Sequence, residues 1–126
     1  MMIQHSQLRT LRIMIRGQGL VFSNTAVAEL TRQAAIGGTP GLTHIDLVHG
    51  GCEEFTIRLK PGHLFGVPVA RLDGITVYAP ASQVTNLAGL NIDYQDDLDG
   101  GSFRIIQKQG MRCCACGSAF SWLRNN

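Results

Sequence analysis

The sequence predicts an α+β fold: one compact, β-rich domain with one or two short helices and a flexible, cysteine-bearing C-terminal tail. Short alternating apolar runs bounded by Gly and Pro predict the strands, and two segments read as helix. Glycine is frequent, at 15 of 126 residues, as a chain of tight turns needs. The tail stands out because three of the four cysteines, Cys113, Cys114 and Cys116, crowd into CCACGSAF, residues 113–120.

Taken in order, residues 20–22 (LVF) form a short apolar strand. SNTAVAELTRQAA reads as a helix, because Ser23 or Asn24 can accept a bond from a free first-turn N–H and Ala26, Ala28, Leu30 and Ala34 favour helix. GGTPG (37–41) ends it. In LTHIDLV, Ile45 and Leu47 alternate with Asp46; in EFTIRLK, Phe55, Ile57 and Leu59 share one face. Both are half-buried strands. HGGC lies between them, and its paired glycines suit a tight connection. PGHLFGVPVARLDG reads as a loop with at most one short strand. ITVY (75–78) is a strand, PASQVTNLAG a short helix with Pro80 near its first position, NIDYQ a strand and DDLDGG a turn. SFRIIQ (102–107) is expected to be the last strand. The organisation is then an N-terminal extension (1–19), a core domain (20–110) and a tail (111–126) with few packing residues.

Composition narrows the function. A chain of 126 residues with 44% hydrophobic content is one ordinary globular domain, long enough to bury a core without staples. A net charge of +2 with no basic stripe gives no reason to expect nucleic acid or a membrane surface. No run reaches the ~18 apolar residues of a membrane span. The first nineteen residues carry Arg9, Arg12 and Arg16 without an acidic residue. That is loosely the composition of an organellar transit peptide, but the plainer expectation is a leading strand or an extension, in a cytoplasmic protein. No apolar core with a small-residue cleavage site points to secretion. In a reducing compartment, clustered cysteines are expected as metal ligands rather than disulfide partners.

The candidate chemistry lies in Cys52, Cys114 and Cys116. Thiolates are soft ligands that favour zinc, Cu(I) and iron–sulfur clusters. Structural zinc sites use two C-x₂₋₄-C knuckles, whereas the close pair here is C-x-C and its distant partner is a single cysteine at a Gly-Gly turn. Three positions are one short of a closed four-thiolate site, so an open site, or one completed by a second subunit, is expected. Cys113 and Cys114 are adjacent and do not both point comfortably at one metal, which makes Cys113 the bystander. His49, three residues before Cys52, reads as a strand-end histidine facing solvent. His5, His44 and His63 have no evident partners. DYQDDLDG (93–100) lacks calcium-loop spacing and a closing Glu, so it reads as a solvated hairpin. Trp122 is either a loose aromatic or a lid over the tail.

On these residues the chain resembles the A-type iron–sulfur carriers, the HesB/IscA-like proteins, from about Val21 to Phe120. The resemblance is carried by VFSNTAVAEL, by Gly50-Gly51-Cys52 followed by Phe55, and by ITVYAP. It continues with Gly89, Ile92, Asp93 and Tyr94 in a G-x-x-I-D-Y strand, and ends with Cys114, Cys116, Gly117, Ser118 and Phe120 in C-x-C-G-S-x-F. The resemblance implies sandwich-like sheets. It implies a non-enzymatic role: accepting a [2Fe–2S] or [4Fe–4S] cluster, or iron, on Cys52, Cys114 and Cys116 and passing it to apo-proteins. It also implies a homodimer or higher oligomer and an Fe–S scaffold or donor as partner.

The chain diverges at three places. Glu53-Glu54 replaces the family's Ser-Gly, Ala79 stands where an aspartate precedes the central proline, and IIQKQGM replaces an Asn-Pro before the tail. Two carboxylates beside a thiolate oppose its ionisation and better suit a cation, as oxygen ligands or as electrostatic support. Two other readings compete: a static zinc- or iron-binding interaction module, and a thiol-redox protein using Cys113, Cys114 or Cys116.

Overall fold

The computed structural model describes residues 19–97 and 100–123. The N-terminal extension, apart from Gly19, therefore lies outside the described residues, and so does the transit-peptide reading made on it.

Strand β1 (Val21–Phe22) leads into helix α1 (Asn24–Ile36). Ser23 is the N-cap: its Oγ accepts the Ala26 N–H at 3.1 Å. The same hydroxyl donates to Asp93 Oδ1 at 2.5 Å, and Thr25 Oγ1 donates to that oxygen at 2.8 Å. The cap thus fastens the helix start to a strand seventy positions along. Strands β2 (Leu42–His49), β3 (Phe55–Pro61), β4 (Val67–Leu72) and β5 (Ile75–Ala79) follow, then a 3₁₀ turn (Ala81–Gln83) and the short helix α2 (Val84–Leu87). Strands β6 (Asn91–Asp97), β7 (Gly100–Ile105), β8 (Met111–Cys113) and β9 (Ala119–Trp122) complete the chain.

The strands form two sheets. One has the order β1-β6-β7, with β1 parallel to β6, and the other β4-β5-β2-β3-β9-β8. Their apolar faces share one core. Ile45 and Leu47 of β2, Phe55 and Ile57 of β3, and Ile75 and Val77 of β5 meet Phe22, Ile92 and Ile105 of the smaller sheet. Ala26, Leu30 and Ala34, on one face of α1 by their helical spacing, join them. The outward residues of β2 and β3 pair in register, with Arg58 donating to both Asp46 oxygens at 2.9 and 2.8 Å.

The expected elements form, with two differences. The Gly/Pro-punctuated stretch contains a six-residue strand, β4, at the edge of the large sheet. A proline is tolerated there because an edge strand need not donate on its outer side, and the register shifts between Pro68 and Ala70. The second difference corrects the tail. SFRIIQ is not the last strand: β8 and β9 follow and extend the large sheet, with Phe120 opposite Phe55 and Ala119 opposite Thr56. Met111, Ala119 and Phe120 are buried. The residues flanking the cysteines therefore pack as core: the backbone of β9 pairs with the edge of β3, and Phe120, with Trp122 two residues on, packs against the apolar cluster. Trp122 is neither loose nor a lid: its ring lies edge-on to Phe120, and its indole N–H donates to the Asn86 carbonyl at 2.8 Å.

Candidate metal centre

Cys52 sits in the connection between β2 and β3, residues 50–54, after His49 has paired with Phe55. Gly50 and Gly51 have φ of +104° and +88°, a region open to glycine and strained for other residues. Two such residues in succession reverse the chain and fold it back over Thr56, whose Oγ1 lies 3.4 Å from the Gly50 carbonyl. Cys114 and Cys116 occupy the turn between β8 and β9. The Cys114 N–H donates to the Ala119 carbonyl at 2.9 Å and the Gly117 N–H to the Cys114 carbonyl at 3.0 Å. Gly117 has φ of +87°. Its carbonyl accepts from the Ile105 N–H at 2.7 Å, and Ser118 Oγ donates to the Phe103 carbonyl at 3.1 Å. The smaller sheet thus holds the turn from one side, while β3 holds it from the other through Ile57 N–H to the Ser118 carbonyl at 2.9 Å.

These two turns bring Cys52, Cys114 and Cys116 together, their sulfurs all within 4.8 Å of one another. Cys52 and Cys116 are exposed and Cys114 half-buried, so the group opens to the surface. Cys52 and Cys114 are joined by a disulfide, and the Cys116 sulfur lies 3.6 Å from that of Cys52. This pairing corrects the expectation of free thiols. The facing turns are close enough for a bond, and the same proximity serves a shared metal once the bond is reduced. The Ser118 N–H lies 3.4 Å from the Cys116 sulfur, a donor aimed at the atom that carries charge as a thiolate.

The Cys113 sulfur stands outside the triangle. It is partly buried against the core, and burial raises its thiol above the ordinary range, with the Glu53 carboxylate adding to the rise. Glu53 does not face the sulfurs as an oxygen ligand. It accepts from Ser121 Oγ at 2.8 Å and from Arg112 Nε at 3.2 Å to each oxygen. The Ser121 hydroxyl, with Arg112 beside it, holds this carboxyl below the usual range. Glu54 contributes its N–H to Ser121 Oγ at 2.9 Å. His49 is exposed and lies against the Phe55 ring.

Sequence reasoning missed Ser121, Arg112 and Gln83. Gln83 Oε1 accepts the Leu47 N–H at 2.8 Å and its Nε2 donates to the Leu47 carbonyl at 3.0 Å. The side-chain amide thereby stands in for a strand where β5 has left β2. Only the short distance of Gln83 from the end of ITVYA hinted at this. Sequence also left His44 unpartnered, whereas its Nδ1 lies 3.2 Å from the His63 carbonyl and its Nε2 3.6 Å from Asp46.

The donor set fits a soft metal centre. It offers three cysteine sulfurs with no carboxylate among them, all thiols once the Cys52–Cys114 bond is reduced, on turns held by backbone hydrogen bonds. Fold and site together define a class: a small two-sheet domain that presents three convergent cysteine sulfurs at its surface. No family model matches the chain. It is 30% identical over 104 residues, 80% of its own length and 86% of the relative's, to a protein of Polaromonas sp. (strain JS666) named for iron–sulfur cluster insertion, ErpA. It is 29% identical over 105 residues to iron–sulfur cluster insertion protein ErpA 1 of Methylococcus capsulatus, covering 81% and 82% of the two chains. A crystal structure of IscA with the [2Fe–2S] cluster superimposes with a TM-score of 0.70 at 26% identity, covering 82% of this chain and 98% of that one. Escherichia coli SufA shares the fold, with a TM-score of 0.59 at 18% identity over 82% of this chain and 93% of its own. The chain belongs to the A-type iron–sulfur carrier family.

Proposed function

We propose that this protein receives an iron–sulfur cluster on Cys52, Cys114 and Cys116 and hands it to apo-proteins, acting as a carrier rather than by catalytic turnover. The observation that carries the reading is the convergence of three sulfurs within 4.8 Å at an open surface. The relatives' names and the [2Fe–2S] cluster of the IscA structure support it. Iron–sulfur clusters of both common types take four thiolates. One chain supplies three, so a second copy or the recipient supplies the fourth, which favours a homodimer for the loaded state. An open site also suits transfer, because an incoming thiolate reaches the cluster without unfolding the carrier. Among the described residues, no helix is long and apolar enough to cross a membrane; the assignment of the carrier to the cytoplasm rests on the similarity to bacterial cluster-insertion proteins.

The test is transfer. Protein reconstituted anaerobically with iron and sulfide is mixed with an apo-ferredoxin, and the two are separated and analysed for cluster. Movement of the cluster to the ferredoxin is the expected result. Zinc held at full stoichiometry after purification, with no cluster formed on reconstitution, would instead favour a static metal module.

A further inference from the structure

We propose, on the three-thiol reading above, that Ser121 and Glu53, with Arg112, brace the Cys52 turn against the β8–β9 hairpin, so that the three thiols stand together before any metal arrives. These are positioning residues, not ligands. The need for a brace follows from the topology. Cys52 belongs to the β2–β3 connection and Cys114 and Cys116 to the β8–β9 turn, and the two consecutive glycines before Cys52 leave its turn with little conformational restraint of its own.

The Cys52–Cys114 disulfide joins the two turns in the oxidised chain; a second link, which reduction leaves in place, meets at one atom. Ser121 Oγ, on a buried residue of β9, accepts the Glu54 N–H and donates to Glu53 Oε1, so two consecutive residues of the turn are tied to a single hydroxyl. Arg112 is Ser121's register partner across β8 and β9, and its Nε reaches both Glu53 oxygens from the other side. The Glu53 side chain is 14% exposed and that of Arg112 63%. The hydroxyl half of the brace is therefore sheltered, while the ion pair is open to screening, so Ser121 dominates. This also accounts for a carboxylate standing directly after Cys52: Glu53 is engaged by Ser121 and Arg112 on the neighbouring strands and is not among the groups that converge with the three sulfurs.

Metal-free protein tests this directly. The chain is equilibrated anaerobically in glutathione buffers, where one glutathione disulfide takes two electrons and becomes two glutathione thiols as Cys52 forms its protein disulfide. Peptide mapping of the Cys52 disulfide then gives the effective concentration of its partner thiols. Ser121→Ala should lower that value about ten-fold. Glu53→Gln, which keeps an oxygen acceptor but loses the charge, should lower it about three-fold, and Ser121→Thr should restore it. An unchanged value in a Ser121→Ala chain that is folded by circular dichroism overturns the brace and leaves the cluster reading intact. A lowered value in a protein that takes up no cluster upholds the brace and overturns the cluster reading. If Ser121→Ala does not fold, Glu53→Gln decides alone, and no change there overturns the proposal.

Discussion

Phe120→Ala is the sharpest test of how the cysteine turn is held. Phe120 is completely buried, with its ring 5.6 Å from Phe55 and 5.7 Å from Trp122. It lies on the strand that inserts between β3 and β8 and carries the turn beyond Cys116. Truncation loses the transfer free energy of the ring and leaves a cavity between two hydrogen-bonded strands that cannot readily close. The cost should be about 3–5 kcal/mol. For a chain of this size, the thermal midpoint should then fall by roughly 10–20 °C. Urea unfolding of the reduced, metal-free protein measures the loss as a shift in midpoint at unchanged slope. A loss below about 1 kcal/mol would refute the reasoning, because that is the cost of truncating a side chain that already sits in water. The tail would then be the loose arm that its glycines and its position first indicate.

Three further expectations follow from the same geometry. Gln83→Leu leaves the Leu47 N–H and carbonyl without their partner and should cost about 1–3 kcal/mol by urea unfolding; a neutral result would mean that solvent already serves that strand end. Gly50→Ala meets no neighbouring atom but must hold φ at +104°, so its cost, about 1–2 kcal/mol, should be purely conformational and absent in a D-alanine semisynthetic variant. Asp93 is held below its ordinary value by the hydroxyls of Ser23 and Thr25, and Asp46 by Arg58. A carboxyl lowered in the folded state lends stability that is present above its unfolded pKa of about 3.9 and lost as pH falls through the folded value. Urea midpoints should therefore drop below about pH 4, and Asp93→Asn should flatten that drop while lowering stability at pH 7.

Much of this molecule was legible because its signals are local. The alternation of Ile45 and Leu47, and of Phe55 and Ile57, marked buried strand faces, and Ser23 marked a helix cap that the structure uses. The Gly-Gly before Cys52 marked a turn and the C-x-C a candidate donor pair, and the structure brings their three cysteines within reach of one another. What was hidden depends on partners distant in sequence. AFSW is too short to declare itself a core strand until β3 offers it an edge, so Phe120 looked like part of a tail. Ser121 and Arg112 are unremarkable alone and acquire meaning only when β8 and β9 place them side by side beneath Glu53. The Glu53-Glu54 pair was read through its charge beside a thiolate. The decisive fact was the engagement of the Glu53 carboxylate by Ser121 and Arg112, which no linear spacing reveals. Gln83 belongs to the same group, since a side chain that imitates a strand is visible only next to the strand it completes.

The central claim, that Cys52, Cys114 and Cys116 hold the cluster while Cys113 does not, is tested most directly by four single substitutions to serine. Each variant is reconstituted anaerobically with iron and sulfide, and the visible sulfur-to-iron charge-transfer absorption is read against protein concentration. Cys52→Ser, Cys114→Ser and Cys116→Ser should each lose most of the absorption, and Cys113→Ser should keep it. Full absorption in Cys52→Ser, or its loss in Cys113→Ser alone, would contradict the account.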